Sequence, residues 1–259
     1  MAHGEPTDAH DTDTVRETTA VTGQVIMPFY LLVDVSYSMK DDERELTAAI
    51  GDLISEISND PVVDDLVMLS IITFNHAAQT IVPLDSPSEL PIPTITTGGG
   101  TDYGKAFAEY HRVFQQDRDQ LKNRGNKVYR PCVFFLTDGA PQDRDYLTTF
   151  RNLFAYDPET RTGNRAFPYF VPYGFRQAPE SVVKSLAYPN FGLTKGRWFL
   201  SSSTSARDAL RALTGIIGRT VISSGMSALA GSPQIVPPEP AATGPAAANT
   251  QFGHADDWV

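Results

Sequence analysis

Val25-Ile26-Met27-Pro28-Phe29-Tyr30-Leu31-Leu32-Val33-Asp34-Val35-Ser36-Tyr37-Ser38 is the segment on which the fold turns. It opens as an apolar run from Val25 to Val33, interrupted by Pro28, and passes through Asp34 into small oxygen-bearing side chains. A run of that length without alternation describes a strand buried on both faces. Such strands belong to sheets covered by helices on each side. The chain downstream supplies both. Leu46, Ala49, Ile50, Leu53, Ile54 and Ile57 recur at helical spacing. Residues 66–74 (LVMLSIITF) read as a second buried strand and 79–84 as a short third, with Asn75-His76-Ala77-Ala78 as a hairpin connection. Phe107, Tyr110, His111 and Phe114 mark another helix, and 128–137 (VYRPCVFFLT) a fourth strand. Weaker strands are expected at 167–173, broken by Pro168 and Pro172, and at 197–200. A last helix uses Ala206, Leu210, Leu213, Ile217 and Val221, with Ser205 as its expected start. The expectation is an α/β fold: a doubly wound, mostly parallel six-stranded sheet with one antiparallel edge strand and helices on both faces.

The ends differ in composition. Residues 1–22 carry Glu5, Asp8, Asp11, Asp13 and Glu17 without apolar periodicity and read as a flexible acidic leader. Residues 23–224 form the expected domain. Residues 225–259, Pro/Ala-rich from Ser232 onward, read as a disordered tail closing in Asp256-Asp257-Trp258-Val259. An aromatic anchor beside carboxylates suits docking on another protein, and an unbound solvated tail is the plainer reading.

Charge and cysteine content narrow the function. The chain has 259 residues, 21 Lys+Arg against 31 Asp+Glu, and a formal net charge of -10. Its overall field repels phosphate backbones, so no nucleic acid is expected as partner. A single cysteine, Cys132, excludes an internal disulfide and a Cys-based zinc cage. Cys132 lies in an apolar strand and Trp198 on a weak one; both read as core. The N-terminus Met1-Ala2-His3-Gly4-Glu5 lacks a signal-peptide pattern, and no apolar run is long enough to span a bilayer. A soluble, cytoplasmic protein without membrane partners is therefore expected.

In a doubly wound sheet, ligands sit beyond the carboxyl ends of the strands. Asp34, Ser36 and Ser38 fall there at alternate positions, and an extended backbone would point all three the same way. Hard oxygens of this kind suit Mg²⁺ or Mn²⁺. The same triple would arise from an Asp and two Ser making local turn and N-cap hydrogen bonds. Two further segments reach the same edge. Thr96-Thr97-Gly98-Gly99-Gly100-Thr101-Asp102 leads into a helix, with glycines that allow close backbone approach and a hydroxyl at Thr101. Leu136-Thr137-Asp138-Gly139 adds a second carboxylate, which alone would be an ordinary Asp-Gly turn.

With these residues in this order, the chain resembles a von Willebrand factor type A domain bearing a metal-ion-dependent adhesion site, over roughly residues 25–224. Asp34-x-Ser36-x-Ser38, Gly99-Gly100-Thr101 and Thr137-Asp138-Gly139 carry the resemblance. Gly-Gly-Thr-Asp-Tyr-Gly, Thr-Asp-Gly-x-Pro and the length look most like bacterial tellurite-resistance and stress-response (TerY-like) members. The resemblance implies that Ser36 and Ser38 bind Mg²⁺ (or Mn²⁺) directly, Thr101 directly or through water, and that Asp34 and Asp138 hold metal-bound waters. Neutral hydroxyls would leave most of the cation's charge uncompensated. The open ligand position would then take an Asp or Glu from a protein partner. One position departs from the family: Tyr37 stands where Gly is common, so the loop must keep an ordinary backbone conformation or the site is reshaped. Tyr37 then either flanks the metal or is a surface ring.

Two enzymatic readings compete. Gly99-Gly100-Thr101-Asp102-Tyr103-Gly104-Lys105 fits the spacing of a P-loop, but Ala106 lacks the hydroxyl needed on Mg²⁺, and Asp102 would face phosphates. Leu84 to Thr97, with Pro87, Pro91 and Pro93, is no convincing strand before it. Metal-assisted hydrolysis or phosphoryl transfer at Asp34 needs a placed base. Of His3, His10, His76, His111 and His254, only His76 falls near a strand's carboxyl end, where a surface hairpin residue is the simpler reading. The sequence therefore predicts a non-enzymatic, metal-dependent protein-binding module. A phosphate-processing enzyme and an adaptor for an AAA+ ATPase are the alternatives.

Overall fold

The computed structural model describes residues 23–192, 195–203, 206–237 and 250–255. The expected leader, Ser205 and Asp256-Asp257-Trp258-Val259 lie outside the described residues. In chain order the elements are β1 (Val25–Asp34), α1 (Glu43–Ser58), α2 (Pro61–Leu66), β2 (Val67–Phe74) and β3 (Ala78–Asp85). There follow α3 (Tyr103–Asn123), β4 (Lys127–Val128), β5 (Cys132–Thr137), α4 (Tyr146–Phe154), β6 (Tyr156–Asp157) and β7 (Thr162–Gly163). The chain continues through β8 (Tyr169–Gly174), α5 (Glu180–Leu186), β9 (Arg197–Ser201), α6 (Ala206–Leu229) and β10 (Thr250–His254).

The main sheet runs β10-β9-β8-β5-β1-β2-β3, with β4 pairing the start of β1. The contacts β9-β8, β8-β5, β5-β1 and β1-β2 are parallel, whereas β2-β3 and β10-β9 are antiparallel. The α/β class, the mostly parallel sheet and the hairpin edge follow the sequence reading. The strand count does not: among the described residues the sheet has eight strands rather than six, and both edges are antiparallel rather than one. The second antiparallel edge comes from Thr250–His254, inside the segment expected to be a disordered tail, and α6 runs to Leu229, past the expected boundary at 224. Thr-Gln-Phe-Gly-His has no apolar run of its own. Its strand character comes from pairing with β9, against which Phe252 stacks on Phe199 at a 6.2 Å centroid separation.

β1 is buried on both faces because its side chains alternate between two cores. Met27, Phe29, Leu31 and Val33 join α1 and α6 residues such as Leu53, Ile57, Leu213 and Ile217. Ile26, Tyr30 and Leu32 join Phe107, Tyr110, Phe150 and Phe154 on the other side. Pro28, with no N–H to give, falls between the residues that pair β4 (Val25, Ile26) and those that pair β5 (from Phe29), so it interrupts neither ladder on that side. No helix among the described residues is long and apolar enough to cross a membrane.

Candidate metal centre

β1 and β5 are adjacent and parallel, so Asp34 and Asp138 end up beside each other at one edge of the sheet. Val35 N–H donates to the Phe74 carbonyl at 2.8 Å, which ties the turn after β1 to the end of β2. Ser36 is still extended (φ -63°, ψ 169°), but Tyr37–Asp42 then form a 3-10 helix. The expected alternation along an extended strand therefore stops at Ser36. The two serine hydroxyls meet, at 3.0 Å, because the tight turn folds Ser38 back beside Ser36.

A continuous chain of hydrogen bonds links four of the five expected residues. Asp34 Oδ1 accepts from the Ser36 amide at 2.9 Å. Ser36 Oγ and Ser38 Oγ share a hydrogen bond, and Ser38 Oγ donates to Asp138 Oδ1 at 2.8 Å. Asp34, Ser36 and Asp138 are buried, while Ser38 opens to solvent. Thr101 is buried on the glycine-rich loop, and none of the hydrogen bonds described joins its hydroxyl to the other four. Its loop is nevertheless fastened against theirs: Tyr37 N–H donates to the Gly99 carbonyl at 3.1 Å, and Gly98 N–H to the Val35 carbonyl at 2.8 Å. From the third segment, the Gln142 amide donates to the Thr101 carbonyl at 2.8 Å.

That close approach depends on the glycines. At Gly99 (φ +78°) a Cβ would lie 2.2 Å from His76 Nδ1, and at Gly100 it would lie 2.2 Å from Gln142 Oε1. Tyr37 meets no such conflict. Among the described residues only Arg161 and Arg176 are non-glycines with positive φ, so the tyrosine sits in an ordinary backbone conformation. Its ring is 66% exposed at the mouth of the site, with Lys40 Nζ 5.5 Å from its centroid.

Four supporting residues escape sequence reasoning. Thr137 Oγ1 donates to Asp34 Oδ2 at 2.8 Å, and the Tyr103 hydroxyl lies 2.9 Å from both Thr137 Oγ1 and the Gly139 carbonyl. Arg176 Nη2 donates to Asp42 Oδ1 at 2.8 Å, and Arg176 Nη1 stands 3.6 Å from Asp138 Oδ2. Thr137 belongs to the Thr137-Asp138-Gly139 motif, but without a role at the site that the sequence assigns. Tyr103 belongs to the Gly-Gly-Thr-Asp-Tyr-Gly stretch but reaches Thr137 and Gly139 only through the fold, as Asp42 and Arg176 reach Asp138's surroundings.

Burial sets the electrostatics. Loss of water pushes Asp34 up to about 6, against the hydrogen bonds from Ser36 and Thr137, and the neighbouring Asp138 charge adds to the rise. Burial also raises Asp138, opposed by Ser38 and Arg176. Two buried carboxylates that resist ionising, with three hydroxyls around them, gain from a hard cation. The donor set is all oxygen, which fits Mg²⁺ or Mn²⁺. Among the described residues no group of three or more His, Cys, Asp or Glu gathers as a metal cluster, so any cation here relies on the hydroxyls.

The same geometry weighs against a phosphate cradle at Gly99–Lys105. The amides that open α3 are already taken: Tyr103 and Gly104 donate to the two Asp143 carboxylate oxygens at 3.0 and 2.8 Å, and Lys105 to Asp102 Oδ1 at 2.9 Å. A phosphate at this helix start would meet two carboxylates instead of free N–H groups.

Residues 29–140 match the family model of the von Willebrand factor type A domain. No curated protein sequence matches the chain. Among solved structures it is similar to a von Willebrand factor type A protein from Catenulispora acidiphila, with 13% identity over 76% of this chain and 43% of that one, at a TM-score of 0.52. It is also similar to proximal thread matrix protein 1 of the mussel byssus, solved with zinc occupying its MIDAS motif (14% identity, 78% and 49% coverage, TM-score 0.51). The open conformation of the pilus adhesin SpaC from Lactobacillus rhamnosus GG gives 12% identity, 78% and 31% coverage, and a TM-score of 0.56. The chain spans less than half the length of each of these proteins, and likeness at such identities carries the fold alone.

Proposed function

Because residues 29–140 match the von Willebrand factor type A family model, we propose that this protein is a divalent-metal-dependent protein-binding module acting through Asp34, Ser36, Ser38, Thr101 and Asp138. The observation that carries the reading is the hydrogen-bonded run from Asp34 through Ser36 and Ser38 to Asp138. Ser36 and Ser38 would hold Mg²⁺ or Mn²⁺ through their hydroxyls, with Thr101 contributing directly or through water. Asp34 and Asp138 would orient metal-bound waters, held in turn by Thr137 and Arg176. When bound, the cation supplies a Lewis-acidic position that takes a carboxylate oxygen from the partner's Asp or Glu. Tyr37, exposed at the rim, is placed to touch that partner.

The protein's own residues serve binding rather than turnover in this reading. His76 packs at Gly99, and the hydroxyls that reach Asp34 and Asp138 come from Thr137 and Ser38 with no histidine beside them in the hydrogen bonds described. By its motif resemblance to tellurite-resistance and stress-response members, the setting is a bacterial stress-response assembly in the cytoplasm.

The test is affinity capture from the native cell with the full chain, in Mg²⁺ and in EDTA. Capture should depend on Mg²⁺ and be lost in Asp34→Ala and Asp138→Ala proteins that keep a wild-type circular dichroism spectrum. Partner recovery that persists unchanged in EDTA defeats the proposal.

A further inference from the structure

The opposite end of the sheet carries a feature the metal-site reading does not use. A groove of about 600 Å³ lies between the last turns of α3, the β4–β5 connection and the segment after β7. Arg118, Lys122, Arg130 and Arg165 line it together with Phe114 and Tyr129, and no lining residue is Asp or Glu. In a chain of net charge -10, four cations around one volume make a local positive well. Arg118 is answered by its neighbour Asp119 at 3.0 Å. Lys122, Arg130 and Arg165 have no carboxylate partner among the described residues.

Arg130 is the best-placed of the four. Its guanidinium carbon lies 3.5 Å from the Phe167 ring centroid, and Nη1 donates to the Phe167 carbonyl at 2.8 Å. Stacking and that one bond fix the plane of the fork and leave its remaining N–H groups without a hydrogen-bond partner among the described residues. The group is half-buried, and burial pulls its pKa down, opposed by neighbouring tyrosines and by no carboxylate among the described residues. A half-buried guanidinium held this way is costly unless an anion meets it.

We infer that this groove binds a small polyvalent phosphate anion, with Arg130 as its fixed fork and Lys122 and Arg165 closing on it from the exposed rim. A polyphosphate is favoured over an acidic peptide because its charges sit on adjacent oxygens of one short chain. Such a ligand reaches a recessed fork and two rim cations at once.

The experiment is calorimetric titration of the full chain with inorganic tripolyphosphate in EDTA, so that no divalent cation bridges ligand and protein. Saturable one-to-one binding that weakens with added salt is expected. Lys122→Gln and Arg165→Gln, both on exposed side chains, should each weaken it about tenfold, the loss of one charge-assisted contact. Arg130→Lys, which keeps the charge and loses the fork, should weaken it at least as much. Absence of binding overturns the inference, as does binding indifferent to these substitutions. Poly-glutamate binding where tripolyphosphate does not bind also overturns it and assigns the groove to an acidic peptide.

Discussion

Asp138 receives the Ser38 hydroxyl on one oxygen and faces Arg176 with the other, so one carboxylate couples the serine turn to the loop after β8. Removing it should abolish cation-dependent stabilisation while leaving both cores intact. With Mg²⁺ at a hundredfold excess over its Kd, the wild-type gain is about 2.7 kcal/mol, read as a rise in melting temperature over an EDTA control. Asp138→Ala and Ser36→Ala should show no such rise; a full rise in either would remove that residue from the ligand set. A second residue, Asp117, lets burial be tested away from the metal. It accepts from the Tyr30 hydroxyl at 2.8 Å, and burial pushes it up to about 6. An acid raised in the folded state favours folding below its unfolded pKa near 3.8, and that contribution is lost as pH rises through about 6. Asp117→Asn keeps an acceptor for Tyr30 and removes the ionisation. It should stabilise the protein at pH 7.5 by about 2 kcal/mol and be neutral near pH 4, measured by urea unfolding at both. At this scale Asp34, Ser36, Ser38 and Asp138 were legible because β1 and β5 run into oxygen-bearing side chains, and Thr101 because it follows a glycine run that opens a helix. The sequence was silent on Asp42 and Arg176, and gave Tyr103 no part at the site, because nothing local to an Arg at 176 says that Asp42 and Asp138 lie beside it.

Among the elements, the strands with their own apolar runs, β1, β2 and β5, were legible along the chain. β8 was legible despite Pro172, which precedes the two residues, Tyr173 and Gly174, where β9 pairs. α4, α5 and the short β6–β7 hairpin were missed; they are brief and gain their order by packing on longer neighbours. β10 was missed for the same kind of reason. Its place is fixed by contacts: the Trp198 indole N–H donates to the His254 carbonyl at 3.2 Å, and a Cβ at Gly253 would lie 2.6 Å from Trp198 Cζ2. Gly253→Val should therefore lift β10 off β9 and expose Trp198. In a Trp258→Phe background, emission should shift to the red and acrylamide quenching should rise, with the Mg²⁺ response retained. An unshifted spectrum would show that the edge strand tolerates the branched side chain.

For the molecule as a whole, the net charge of -10 sets how a carboxylate-bearing partner approaches. On the proposed reading, a partner that offers Asp or Glu is repelled at long range and held at the cation. Raising ionic strength screens the repulsion and leaves the short contact in place. Mg²⁺-dependent capture should then hold or strengthen between about 50 and 300 mM NaCl, spans over which the Debye length shrinks from roughly 14 to 6 Å. A steep loss of capture with salt, followed by surface plasmon resonance, would mean that attraction between opposite charges carries the complex instead of the metal.

The linked hydroxyls of Ser36 and Ser38, closed onto Asp138, bring a final consequence. These oxygens are already gathered by bonds among themselves, so on the proposed reading a cation meets Ser36, Ser38 and Asp138 side by side. In the proposed role the entering cation offsets the charge of Asp34 and Asp138 at this surface. Whatever binds next is then selected by what that surface attracts.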